Sequence, residues 1–253
     1  MGVDLQKASM WKRISAFLFD GILLCVLAVA FAALLSWVTG YDTYNTSLEE
    51  YYAGYEARYD VTFQITGEEY EAMSPRQKEA YDTAYGALIA DPDVLYVYDM
   101  VLNLTMLITS ISILLAFLAL EFAVPLLLGN GQTLGKKIFA LAVVRTDSVR
   151  MNPMQLFVRT LLGKFTLETM VPVYVLIMIF FSMIGMGGTL LLAALLLLQV
   201  ILLAATRTNS LLHDLLAGTV VVDFPSQQIF RSTEELIAYT KKLHAERAAR
   251  QPY

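Results

Sequence analysis

The chain has 253 residues, 57% of them hydrophobic, with a formal net charge of −5 and a mean hydropathy of +0.57. An ordinary soluble domain is roughly 45–50% apolar, so this composition excludes a simple water-soluble globule and makes lipid the main solvent. The single cysteine, Cys25, lies inside an apolar run and excludes an intrachain disulfide.

In chain order, Lys7, Lys12 and Arg13 precede an apolar run from Ile14 to Val38, bracketed by Trp11 and Trp37 as interfacial anchors. Its length exceeds a secretory h-region of about 7–15 residues, and it ends without a small-x-small cleavage site, so it reads as a span. A second span runs from Met100 to Leu128. The apolar stretch from Leu167 to Ala205 would reach ~58 Å as one helix, too long for ~30 Å of hydrocarbon. It is therefore read as two spans, 167–184 and 189–205, turning at Gly185-Met186-Gly187-Gly188.

Basic residues mark the cytoplasmic side of short loops. Here all but Arg58, Arg76 and Lys78 fall before the first span, between the second and third, or after the fourth, including Arg207 and Arg250. The segment between spans one and two holds those three among thirteen Asp and Glu residues. Both termini are thus expected in the cytoplasm of a multi-pass cell-membrane protein, with the acidic segment outside.

The expected fold is an all-α polytopic membrane protein. A bundle of four transmembrane helices carries an extracytoplasmic helical insertion between spans 1 and 2 and a small cytoplasmic β-ribbon. The divisions are a cytoplasmic N-terminus and first span (1–38), an acidic Tyr-rich domain (39–98), the second span (99–128), a basic loop with an amphipathic helix (129–166), a hairpin of two spans (167–205) and a C-terminal segment (206–253). In the acidic domain, Thr66 with Glu69 and Ser74-Pro75 with Gln77 signal capped short helices. Tyr51, Tyr55 and Tyr59 recur at helical spacing, as the core of a small cap or as a sticky face. Asn152-Pro153 opens a helix expected to lie along the membrane surface. The valine-rich runs 140–145 and 219–224 are expected to pair as the ribbon, and Ser232 with Glu235 to cap a last helix.

An ionisable group within the hydrocarbon costs about 2.5–3.5 kcal/mol on insertion scales and asks for a reason. Asp20 lies seven residues after Arg13 on nearly the same helix face. Glu121 stands four residues before Pro125, whose ring removes the hydrogen bond that the Glu121 carbonyl would accept. A carboxylate beside a freed carbonyl suits a cation or a proton. The opposing reading is that Arg13, Arg159 or Lys164 neutralises these acids and merely locks helices together. Glu168 reads as a local partner of Lys164, Asn103 and Gln199 as interhelical glue, and His213-Asp214 as either a pH-responsive pair or a surface cap.

No HExxH, CxxC pair or nucleophile elbow occurs, so no enzymatic role, catalytic residue or cofactor is expected. The acid run lacks the spacing of a calcium loop, whether any metal is held is left open, and the near-balanced charges of the C-terminal helix give no nucleic-acid arm. Gly129-Asn130-Gly131-Gln132-Thr133-Leu134-Gly135-Lys136-Lys137 fails the phosphate-loop pattern, which needs Ser or Thr where Lys137 stands, and reads as a flexible basic turn.

Three motifs in order, residues 11–20 (WKRISAFLFD), 131–137 (GQTLGKK) and 212–219 (LHDLLAGT), resemble the RDD family of membrane proteins. Its name-giving arginine and two aspartates map onto Arg13, Asp20 and Asp214, and Arg159 falls where a recurrent arginine follows the middle loop. The resemblance does not reach the acidic segment. It implies a bacterial membrane protein, and for a few members exchange of sodium or related cations (Li⁺, K⁺) for protons. The expected site is then Asp20, Glu121 and Asp214 for ions or protons, with Arg13, Arg159, Lys136 and His213 as charge partners or gates. Four spans are few for one pore, so a homo-oligomer is expected. The alternative is a non-transporting membrane scaffold or anchor.

Overall fold

A computed structural model describes residues 5–206 and 208–250; Arg207 and the side chains of Ala249 and Arg250 lie outside the described residues. In chain order the helices are α1 (Met10–Thr39), α2 (Tyr41–Tyr59), α3 (Gly67–Ala72), α4 (Pro75–Ala90), α5 (Pro92–Leu128) and α6 (Leu134–Ile138), followed by strand β1 (Leu141–Arg145). Then come α7 (Pro153–Phe180), α8 (Met186–Ala205), α9 (Leu212–Ala217), strand β2 (Thr219–Asp223) and α10 (Thr233–Arg250). Four of them, α1, α5, α7 and α8, are long and apolar enough to cross a membrane. Their outward side chains stay exposed, Phe17 by 65% and Val29 by 69%, a surface that hydrocarbon rather than water would cover.

The chain forms two compact units, one of Met1–Val29 with Ile113–Tyr253 and one of Ala30–Ser112. In the second, Thr66 and Ser74 each close a capping box with Glu69 and Gln77, satisfying two helix-end donors at each start. The aromatic core is not built on Tyr51, Tyr55 and Tyr59. Phe63 sits edge-on to Tyr52, Tyr81 and Tyr85, and Tyr81 also meets Tyr70. Tyr55 stacks on Tyr59 and donates its hydroxyl to Asp91 at 2.8 Å. Asn103 is exposed.

In the first unit, β1 and β2 pair antiparallel, Leu141 opposite Asp223 and Arg145 opposite Thr219. Because side chains alternate across a strand, Leu141, Val143 and Val221 pack against Ala16 of α1, while Ala142, Val144, Val220 and Val222 face Leu5 and Ile229. Both faces are covered, so both strands read as continuous apolar runs.

Three local expectations change. The helix opened by Asn152 does not stop before the third span: α7 runs unbroken to Phe180, with Val158–Met170 in the wider π form. Nothing between Phe157 and Met170 breaks a helix, and Pro172 arrives where the preceding wide turns end. The hairpin turn falls at residues 181–185, with Ser182 at φ +55°, and Gly187 and Gly188 belong to α8. Gly188 serves packing instead, since a Cβ there would stand 2.8 Å from Ile184 and 2.9 Å from Ile179. The glycine-rich loop 129–137 is not a flexible turn. Thr133 caps α6, Gln132 is buried and donates to the Leu141 carbonyl at 2.7 Å, and Lys136 is buried.

Candidate functional site

The π stretch of α7 sets the geometry. Hydrogen bonds to the fifth residue back widen each turn beyond four residues, which Thr166 and Thr169 reinforce by donating to the carbonyls of Leu161 and Lys164. Arg159, Lys164 and Glu168 then stand one turn above another and line one cavity of about 510 Å³. Arg13 and Asp20 from α1, Glu121 from α5, Lys136 from α6, and His213 and Asp214 from α9 line the same cavity. All seven residues singled out in the sequence therefore meet in one place. Ile14, Phe17, Phe117, Leu196 and Leu203 supply the apolar remainder of its wall.

Asp214 is the hub of one half. Its Oδ1 forms an ion pair with Arg159 Nη2 at 2.8 Å, and Arg13 Nη2 lies 3.8 Å from Oδ2. Arg13 also donates to the Thr208 carbonyl at 3.1 Å. Burial favours the neutral acid at Asp214, but Arg159, then His213 and Arg13, outweigh it and hold the carboxyl at about 2. His213 is not a surface cap; it is 4% exposed. Glu168 accepts its main-chain N–H at 2.9 Å and lies 2.7 Å from Nδ1, while Arg159 Nη2 stands 3.1 Å from Nε2. These contacts fit one tautomer, Nδ1–H donating to Glu168 and Nε2 accepting from Arg159. Burial lowers the His213 pKa against the pull of Asp214 and Glu168, so the ring is neutral near pH 7. The close approach depends on Gly163, where a Cβ would lie 2.5 Å from the His213 Cβ.

The other half holds Asp20 and Glu121. Asp20 accepts the Gly135 N–H at 2.7 Å and the Thr133 hydroxyl, with Lys136 Nζ 3.9 Å away. Glu121 pairs with Lys164 at 2.5 Å. The carbonyl that Pro125 would leave free is taken by the Thr160 hydroxyl at 3.1 Å, so the freed oxygen locks α5 to α7 rather than facing the cavity. Lys164 and Glu168 do not pair with each other, because Glu121 engages the first and two hydrogen bonds from His213 engage the second.

Thr133, Thr160, Gly135 and Gly163 went unassigned in the sequence reading. Thr133 and Gly135 stand within the motif 131–137, and the only signal of Thr160 and Gly163 is a hydroxyl or absent side chain beside Arg159 or Lys164. Gln199 hydrogen-bonds Glu168, yet its Oε1, like Arg159 Nε and Asp214 Oδ2, is buried without a hydrogen-bond partner. Among the described residues no three His, Cys, Asp or Glu side chains converge as a metal site.

Four helices able to cross a membrane, three of which bring ionisable groups to one cavity, define a membrane protein. The chain belongs to the RDD family, whose sequence model matches residues 7–218. That range contains Arg13, Asp20 and Asp214, and its bounds also enclose the acidic segment that the three motifs do not reach. No curated protein and no solved structure matched the chain.

Proposed function

We propose that this protein exchanges a monovalent cation for a proton through the charge-lined cavity. Both termini then face the cytoplasm of a cell membrane and the acidic segment 39–98 faces outward, as the distribution of basic residues favours. The observation that carries the reading is the cavity itself: Asp20, Glu121, Glu168 and Asp214 line it together with Arg13, Lys136, Arg159 and Lys164. Equal numbers of fixed charges of each sign let a cation enter only as positive charge leaves, which is the electrostatic condition for exchange. Asp20, Glu121 and Asp214 are the carboxylates offered to cations or protons. Arg13, Arg159, Lys136 and His213 set their charge. The reading assigns no catalytic role, and a second copy of the chain completes the pathway that four spans alone enclose poorly.

The test is a pH-gradient assay in inside-out vesicles challenged with Na⁺, Li⁺ or K⁺. The parent protein dissipates the gradient, and Asp20→Asn and Glu121→Gln reduce the response at least tenfold. A parent no more active than vesicles lacking the protein overturns the proposal.

One observation favours a second reading, a scaffold without transport. Each of these carboxylates already has a cationic or hydrogen-bonding partner, as in Glu121–Lys164 and Asp214–Arg159, and such pairs are also how buried charges lock helices. Under that reading the variants lose stability and no ion moves in any of them.

A further inference from the structure

The cavity is not polar throughout. Along α1 its wall runs from Arg13 past Asp20 to Gly21, Leu24 and Cys25, about 18 Å of helix whose charged side chains all fall in the first two turns. On α5, Phe117 lines it one turn beyond Glu121, and on α8 Leu196 lines it one turn beyond Gln199. On each of these helices the polar group lies toward the end of the span and the apolar one toward its middle. The cavity also opens sideways. Phe17 and Leu196 line it yet stay 65% and 67% exposed, so its wall continues onto the surface that hydrocarbon covers. Ala16 is the one buried residue among the thirty of α1, which leaves the cavity side of that helix largely uncovered by protein.

At the charged end, polar atoms of both kinds lack partners, although buried polar groups are almost always paired. Arg159 Nε is a donor without an acceptor, and Gln199 Oε1 and Asp214 Oδ2 are acceptors without a donor. Arg159 and Asp214 are 4% and 1% exposed. Lys136, an ammonium with three N–H groups, has the Thr133 hydroxyl oxygen as its single hydrogen-bond acceptor among the described residues. An anion alone leaves the acceptors unmet, and a cation alone leaves the donors unmet. The wall itself carries four fixed charges of each sign, so an occupant of zero net charge keeps the balance.

We propose that the cavity is a binding site for one phospholipid with a phosphoethanolamine headgroup. Its chain lies along Gly21, Leu24 and Phe117, and its headgroup lies among Lys136, Arg159, Gln199 and Asp214. The phosphate oxygens accept from the unmet donors, and the ammonium donates to the unmet acceptors. A trimethylammonium headgroup has no N–H to offer, and a phosphoglycerol headgroup adds an uncompensated negative charge. The volume of about 510 Å³, with a mainly apolar wall and a few convergent polar groups, suits an amphiphile of this kind. The inference goes beyond the exchange reading and does not rest on it, since the site needs no ion to cross the membrane. A headgroup and a hydrated cation would occupy the polar end in turn.

The experiment reconstitutes the full chain in vesicles of equal parts phosphatidylethanolamine, phosphatidylcholine and phosphatidylglycerol with matched chains. The protein is then extracted in mild detergent and weighed by native mass spectrometry. The parent retains one phospholipid, with phosphatidylethanolamine favoured at least tenfold over each of the others. A Cβ at Gly21 meets nothing within 4 Å, and leucine favours a helix over glycine. Gly21→Leu therefore fills the apolar end, retains at least tenfold less lipid and unfolds no earlier than the parent. Ile22→Phe, at an exposed position of α1 outside the cavity, retains as much lipid as the parent. Three results each overturn the proposal: no retained lipid in the parent, as a water-filled cavity gives; equal retention of the three headgroups; or unchanged retention in Gly21→Leu. The first two are read on the parent and need no variant to fold. Retention is measured without an ion gradient, so cation exchange can fail in vesicles while this result stands, and the reverse.

Discussion

Arg159 and Asp214 meet at 2.8 Å with both side chains almost wholly buried, 5% and 1% exposed. They tie α7 to the short helix α9, which the tight approach at Gly163 also brings together. Removing one partner of a buried pair leaves an uncompensated charge and typically costs about 3–5 kcal/mol. Arg159→Met is expected to destabilise the protein by about that much, while the double variant Arg159→Met, Asp214→Leu recovers most of the loss. Thermal unfolding in detergent, followed by circular dichroism, checks both.

Stability should depend on pH through the same residues. Asp214 titrates at about 2 in the native protein against 3.8 ordinarily, so its contribution is complete above about pH 4 and is lost as pH falls toward 2. Lys136 has the opposite form: its native value of about 8 lies below the ordinary 10.5. The unfolded chain holds that proton more tightly, so this group makes stability rise between about pH 8 and 10.5. Unfolding midpoints across pH 3–10.5 are expected to show both limbs in the parent and to lose the alkaline limb in Lys136→Gln.

Gly135 lets α6 approach α1 closely enough for its N–H to reach Asp20. A Cβ there would stand 2.5 Å from the Ala16 carbonyl and 2.9 Å from the Asp20 carboxyl carbon. Gly135→Ala should therefore cost about 1–3 kcal/mol by overpacking and should weaken any cation binding at Asp20 at least tenfold. Leu134→Ala, at an exposed neighbouring position, should do neither. Unfolding midpoints together with Na⁺ titrations separate the two variants.

In the acidic unit, Thr66 and Ser74 each accept a main-chain N–H through the side chain. Replacing either by alanine is expected to cost about 1 kcal/mol and to speed amide hydrogen exchange in residues 67–90. Exchange around the cavity should stay as in the parent, because the acidic unit forms a separate compact body. Hydrogen–deuterium exchange with peptide readout reports both effects at once.

What the sequence makes legible is local or periodic. The four apolar stretches announce α1, α5, α7 and α8 by length and composition, and the caps at Thr66, Ser74 and Asn152 are written within three residues of their partners. Charged residues in an apolar chain point to Asp20 and Glu121 because each is costly there, whereas Asp214 stands out only through the motif 212–219. Partner choice is not local. Lys164 lies one turn from Glu168 in sequence yet pairs with Glu121, and Glu168 pairs with His213. No periodicity announces the π turns of α7, and a glycine-rich string looks like a hinge whether its glycines turn the chain or, as at Gly188, admit a neighbouring side chain.

The most direct test of proton-coupled cation exchange is uptake of radiolabelled sodium by liposomes holding the purified protein, with an acidic interior and a neutral exterior. Uptake above protein-free liposomes is predicted, collapsing when a protonophore removes the gradient and failing in Asp20→Asn. Uptake by the parent no greater than in protein-free liposomes, with the protein folded in the bilayer, would contradict the account.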